Sequence, residues 1–264
     1  MLFTDNFVYI HQPKTGGTFV TTVLLRLHEF RWNFLIHGMS ALKKELIHKN
    51  KYGTFIYNNN KHGLCSDIPE PHRKKIILAT IRNPYDLYVS QYEFGWWKRK
   101  DFFKNYRAIP DFETKYPNFP NINFADYIKL TNQAFGQLNK GSFESEDSLG
   151  LQTEEFIKYY FINPKPLFSS INYDYVSSQR YKTDMFNIHF IKTSFLNEEL
   201  YHFLLDMGYN SKDLKFILEL RKILPGGKGR SKEQVWEQYY TPELKQMVRK
   251  KERLIFTIFP EFDV

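Results

Sequence analysis

The chain has 264 residues, of which 42% are hydrophobic and 18% aromatic, with 37 Lys and Arg against 29 Asp and Glu. That length predicts one domain, residues 1–264, with an inserted lid or substrate region over about 100–150. Cys65 is the only cysteine, which excludes an intramolecular disulfide and a cysteine-based zinc site. No apolar run approaches the ~18 residues of a membrane helix, and Asp5 and Asn6 interrupt any leader-like start. The expectation is a soluble, cytoplasmic chain with no membrane span. The net charge of +8 invites an anionic ligand. Nucleic acid is the rival partner. The basic residues are scattered, however, and Lys98-Arg99-Lys100 and Arg249-Lys250-Lys251 read as solvated helix faces, so no nucleic acid is expected.

In chain order, Phe7 to Ile10 is an apolar strand stopped by Pro13, and Thr18 to Leu27 has helical character. Trp32 to Ile36 reads as a short strand, and Ser40 as the cap of a lysine-rich helix running through His48. Tyr52 to Tyr57 is β-like and ends in the turn-rich 58–63. Lys75 to Ile81 is the strongest strand, apolar enough for the centre of a parallel sheet. Pro84 opens a helix to about Lys98. Three prolines and many aromatics predict a long loop or lid over 100–123. Helices follow at Phe124 to Phe135 and Leu151 to Phe161. Next come a strand at Ile188 to Ile191 and helices at Asn197 to Met207 and Asp213 to Ile223. A glycine-rich basic loop covers 225–230, and a last helix, capped by Thr241, covers Pro242 to Phe256. Alternating strands and helices define an α/β fold.

The stretch from Phe7 to Val20 is a strand, a glycine turn and a helix start. Gly16 and Gly17 let the backbone turn and let a ligand approach closely. Free N–H groups and the positive end of the helix dipole then meet at one place. Lys14 adds a charge, and Thr15 and Thr18 add hydroxyls. This is a phosphate cradle, but not a Walker A loop, in which the lysine follows the glycines. Further on, Arg82 ends the central strand, and Ser90 lies two helical turns later. A guanidinium fork with a hydroxyl suits a second phosphate.

The order Pro13-Lys14-Thr15-Gly16-Gly17-Thr18 resembles the 5′-phosphosulfate loop of sulfotransferases that use 3′-phosphoadenosine 5′-phosphosulfate (PAPS). The run from Arg82 through Pro84 to Ser90 resembles their 3′-phosphate motif, R-x-P-x-x-x-x-x-S. The branch implied is similar to carbohydrate and bacterial sulfotransferases. The resemblance implies a three-layer, P-loop-NTPase-like fold with a central parallel sheet. Lys14, Thr15, Gly16, Gly17 and Thr18 would hold the 5′-phosphosulfate, and Arg82 and Ser90 the 3′-phosphate. Lys228 and Arg230 of the late glycine loop would add charge there. Lys14 would also neutralise the oxygen bridging to the leaving phosphate, so that 3′,5′-adenosine bisphosphate departs. No metal is implied.

The acceptor hydroxyl needs a general base. His62 and His37 each follow a β-like run, and each stands beside glycine. His62 lies 20 residues before Arg82, a spacing similar to that of the catalytic histidine in related carbohydrate sulfotransferases. His37 resembles a histidine-led pattern in some bacterial relatives, and Glu93 is a third candidate. The acceptor is a carbohydrate by resemblance, with a lipid or small molecule as alternatives. The alternative functions are a nucleotide-dependent kinase and a non-enzymatic basic module that binds RNA or an acidic polymer. Relatives often carry an acid near Thr193-Ser194, and this chain does not.

Overall fold

The computed structural model describes residues 1–30, 45–136, 148–168, 170–221, 223, 230–231 and 234–264. Its contacts divide the chain into two units, Met1–Arg82 with Phe186–Gly227, and Asn83–Met185 with Lys228–Val264. The strands are β1 (Leu2–Phe3), β2 (Phe7–Ile10), β3 (Glu45–Asn50), β4 (Gly53–Asn58), β5 (Ile76–Ile81) and β6 (Ile188–Lys192). The longer helices are α1 (Gly17–Leu27), α2 (Pro84–Phe94), α3 (Phe124–Phe135), α4 (Leu151–Tyr160), α5 (Leu196–Asp206), α6 (Ser211–Glu219), α7 (Pro242–Lys251) and α8 (Arg253–Ile258).

The six strands of the described residues lie in the first unit and form one sheet in the order β3-β4-β1-β2-β5-β6. β2, β5 and β6 run parallel, with Ile10 opposite Ala79 and Ile81 opposite Lys192. β1 is antiparallel to both of its neighbours, and β3 and β4 form a hairpin. The sheet is therefore mixed, where a parallel one was expected. The cause is local: Asn50 pairs with Gly53 across the two residues Lys51 and Tyr52, and a turn that short can join only antiparallel strands. The helix expected through His48 is likewise replaced, at its described end, by β3. There exposure alternates residue by residue, as pairing with β4 requires.

The core of this unit follows from the apolar runs. β2 is wholly buried, and β5 is buried from Ile77 to Ile81. α1 buries Phe19, Val20, Val23, Leu24 and Leu27, one stripe at helical spacing. Leu200, Phe203 and Leu204 of α5 join the same cluster, with Leu214 and Ile217 of α6. Each such side chain contributes roughly 1.5–3 kcal/mol on burial.

The second unit is helical. Gly95 takes a left-handed conformation (φ 70°) and ends α2, so the expected helix stops before Lys98, and Trp96–Lys98 is a 3-10 turn. The stretch expected to be a loop forms short helices, Phe103–Arg107 and Phe112–Lys115. Its aromatics face inward. Tyr106 is fully buried and donates to the Trp97 carbonyl at 2.8 Å, and Trp97 packs on Tyr127 with ring centroids 5.3 Å apart. Trp97 is thus a core residue. The last expected helix is two, α7 and α8, broken at Glu252. Thr241 does cap α7, accepting from the Leu244 amide at 3.2 Å. The strand expected at 32–36 lies outside the described residues.

Glu252 is buried, and its carboxylate sits on the N-terminus of α4. It accepts from the Thr153 amide at 2.6 Å, the Gln152 amide at 3.4 Å and the Tyr88 hydroxyl at 2.5 Å. Asn132 takes the remaining first-turn amide, that of Leu151, at 2.7 Å. Gly150 leaves the room, since a Cβ there would lie 1.9 Å from Glu252 Oε1. Burial holds the Glu252 carboxyl above the ordinary carboxylate range, although these hydrogen bonds oppose the shift.

Candidate functional site

β2 delivers the chain into a loop whose backbone alternates in sign. Lys14 has φ 67°, a left-handed conformation unusual for a residue with a side chain, and Gly16 has φ 93°. Successive peptides of alternating hand turn their N–H groups toward one concavity, the geometry of an anion nest. α1 starts directly after it. Gly16 is the N-cap residue, no side chain caps the helix, and no acid lies in its first turn. Among the described residues, the amides of Thr15, Gly16, Gly17 and Thr18 have no hydrogen-bond partner. Gly17 is required by close packing: a Cβ there would fall 1.9 Å from His11 Cδ2 and 2.1 Å from His11 Nε2. The Lys14 and Thr18 side chains are half-buried beside this end.

The loop is tied to the neighbouring parallel strands. The Thr15 hydroxyl is fully buried, donates to the Gln12 carbonyl at 2.9 Å and lies 2.7 Å from the Thr80 hydroxyl of β5. Its hydroxyl therefore works inward, while its amide has no partner among the described residues. Arg82, just past β5, is buried and donates from Nη1 to the Lys14 carbonyl at 3.0 Å. Thr193, just past β6, places its hydroxyl 3.0 Å from the Thr15 carbonyl and 2.9 Å from the Ile81 carbonyl. The parallel run of β2, β5 and β6 brings all these groups to the carboxyl ends of the strands, where ligands of α/β sheets bind.

Two histidines flank the loop. His11 is buried, its ring 4.7 Å from that of His62, and its Nδ1 has no partner. Burial, and then the His62 and Lys61 charges, lower its pKa to about 3, so it stays neutral. His62 is exposed, and its Nδ1 lies 2.9 Å from the His11 carbonyl. A carbonyl only accepts, so Nδ1 carries the proton and Nε2 of the neutral ring carries the lone pair. Desolvation lowers the His62 pKa, and the hydrogen bond to His11 opposes the shift. The result is a neutral base of fixed tautomer beside the loop. His37 lies outside the described residues.

The remaining predicted residues lie in the second unit. Ser90 is buried on α2, one turn beyond Asp86 on the same face. Arg230 pairs with Asp86, and its Nη1 is buried without a partner. Both oxygens of Glu93 are engaged, by Gln234 at 3.0 Å and Tyr239 at 2.7 Å. Lys228 lies outside the described residues. Among the described residues no three His, Cys, Asp or Glu are grouped to hold a metal, and no helix is long and apolar enough to cross a membrane.

The sequence reading did not single out Thr80 and Thr193. A hydroxyl at the C-terminal ends of β5 and β6 was the available signal. At 193–194, where relatives often carry an acid, this chain has Thr193, whose hydroxyl bonds the Thr15 and Ile81 carbonyls. Comparison with known protein families, with curated proteins and with solved structures finds no match for this chain.

Proposed function

We propose that this chain is a PAPS-dependent sulfotransferase of P-loop-like, three-layer architecture, acting in the cytoplasm on an acceptor hydroxyl, with carbohydrate the favoured class. The observation that carries the reading is the uncapped start of α1: four partnerless amides beside Lys14, with no acid of the chain's own in the first turn. Such an end suits a bound anion. PAPS carries a second anionic group, and in the second unit Arg230, paired with Asp86, holds a buried, unpartnered donor nitrogen.

When bound, PAPS supplies the sulfuryl group that passes in line to the acceptor oxygen. The chain's residues do the rest by position and charge. Amides 15–18 hold the 5′-phosphate end. The Lys14 ammonium offsets negative charge at the leaving oxygen. His62 Nε2 takes the acceptor proton, a role for which its tautomer and lowered pKa suit it. Both Glu93 oxygens already accept hydrogen bonds, which favours His62 over Glu93 as the base. The 3′-phosphate reading draws on Ser90 and Arg230: Arg230 pairs with Asp86, one turn before Ser90 on α2.

The test is transfer of labelled sulfate from PAPS across a panel of sugar, lipid and phenol hydroxyls, without added metal. Label should pass to at least one acceptor, and His62→Ala should abolish it. Hydrolysis of ATP with no sulfate transfer would replace the reading with a kinase.

A further inference from the structure

The amides of the loop are open, but its carbonyls are held. Arg82 Nη1 donates to the Lys14 carbonyl at 3.0 Å, and Thr193 Oγ1 lies 3.0 Å from the Thr15 carbonyl. A trans peptide is planar, with C=O of one residue and N–H of the next pointing opposite ways. Fixing the Lys14 carbonyl therefore aims the Thr15 amide, and fixing the Thr15 carbonyl aims the Gly16 amide. These are two of the four partnerless amides. The tether also accounts for Lys14 staying left-handed (φ 67°), a conformation that a residue with a Cβ leaves unless it is held.

We infer that Arg82 and Thr193 are positioning residues for the 5′ anion loop: together they clamp two consecutive carbonyls so that the amides behind them converge. This rests on the sulfotransferase reading for the ligand's identity, though not for the clamp. It gives Arg82 a task distinct from the 3′-phosphate contact, and gives Thr193 a role without requiring an acid at that position. The Thr193 hydroxyl is also 2.9 Å from the Ile81 carbonyl, so its single proton serves either carbonyl and joins the loop to the end of β5.

The experiment uses the full chain and four forms: wild type, Thr193→Val, Thr193→Ser and Arg82→Ala. Backbone NMR order parameters are read at Thr15 and Gly16, and affinities are read for adenosine 5′-monophosphate and adenosine 3′-monophosphate. In wild type the two amides should be rigid, near ~0.85, and Thr193→Val should drop them below about 0.7 while Val23 and Leu24 stay unchanged. Thr193→Val and Arg82→Ala should each weaken the 5′-monophosphate about tenfold. Thr193→Val should leave the 3′-monophosphate alone, and Thr193→Ser should restore wild-type values. Unchanged order parameters at Thr15 and Gly16 in both Thr193→Val and Arg82→Ala would overturn the clamp, as would an equal loss throughout α1. If the order parameters behave as expected but wild type binds neither nucleotide, the clamp stands and the sulfotransferase reading falls.

Discussion

Two helix starts in this chain are built in opposite ways. At α4 every first-turn amide is answered from within: Leu151 by Asn132, and Gln152 and Thr153 by the buried carboxylate of Glu252. At α1 no side chain caps the end, and amides 15–18 have no partner among the described residues. The α4 start shows that this chain can meet such amides from its own side chains. At α1 it instead supplies glycines, a lysine and a carbonyl clamp. Orphan amides cost free energy unless something satisfies them. On the proposed reading, α4 is built for stability and α1 for an anion brought from outside.

Substitutions separate the two ends. Lys14→Ala should lower kcat by about 10²–10³-fold, since its charge matters most as the leaving oxygen becomes negative, and should change bisphosphate affinity far less. Steady-state kinetics with calorimetry reads both, and equal losses in the two would remove Lys14 from that role. Glu252→Ala should do the reverse. It leaves the Gln152 and Thr153 amides without their acceptor and the Tyr88 hydroxyl with Asn132 alone, at a cost of about 3 kcal/mol by denaturant titration. The surviving folded protein should bind bisphosphate as wild type does. Weakened binding there would blur the division between the two ends.

Acid acts on the first unit through its buried histidines. Burial lowers His11 to about 3 and His28 to about 4, from an ordinary value of 6.5. A depressed histidine pKa means that the unfolded chain binds the extra proton first. Stability is therefore complete above pH ~6.5 and falls as pH drops toward the folded values, by ~1.4 kcal/mol per pH unit for each histidine. Glu252 has the opposite sign: its carboxyl is raised, so its contribution declines as pH rises from the ordinary 4.5 through the shifted value. The two histidine shifts exceed two units each and should dominate a melting curve between pH 6.5 and 4. A flat profile there would contradict their burial. His62, whose pKa is lowered by a smaller amount, should set the acid limb of kcat/KM with a midpoint below 6.5.

Much of the first unit was legible from sequence, because β2 and β5 are apolar runs with a proline close behind them. β2, β5 and β6 lie close to where patterning put them, and Lys14, Gly16 and Gly17 were picked out by the order of charge and glycine. The β3–β4 hairpin was half missed, since Glu45 to His48 has no strand-like composition and is held by pairing alone. The aromatic stretch after Trp97 was misread because prolines suggested a loop, while Tyr106 and Tyr116 are buried and Phe112 and Phe119 pack against Tyr106. The clamp was invisible for a different reason. It uses backbone carbonyls, and no residue type announces which carbonyl it will grip.

The most direct measurement puts a carboxylate where the anion is expected. Thr18 is half-buried in the first turn of α1, and Thr18→Asp gives that end an acid of its own. Melting and calorimetric titration with 3′,5′-adenosine bisphosphate, without magnesium, should then move in opposite directions. The fold should gain about 0.3–1 kcal/mol from the helix dipole, and bisphosphate binding, present in wild type, should be lost. Binding that survives the added carboxylate, or is absent from wild type, would contradict the assignment of the open α1 start to an external anion.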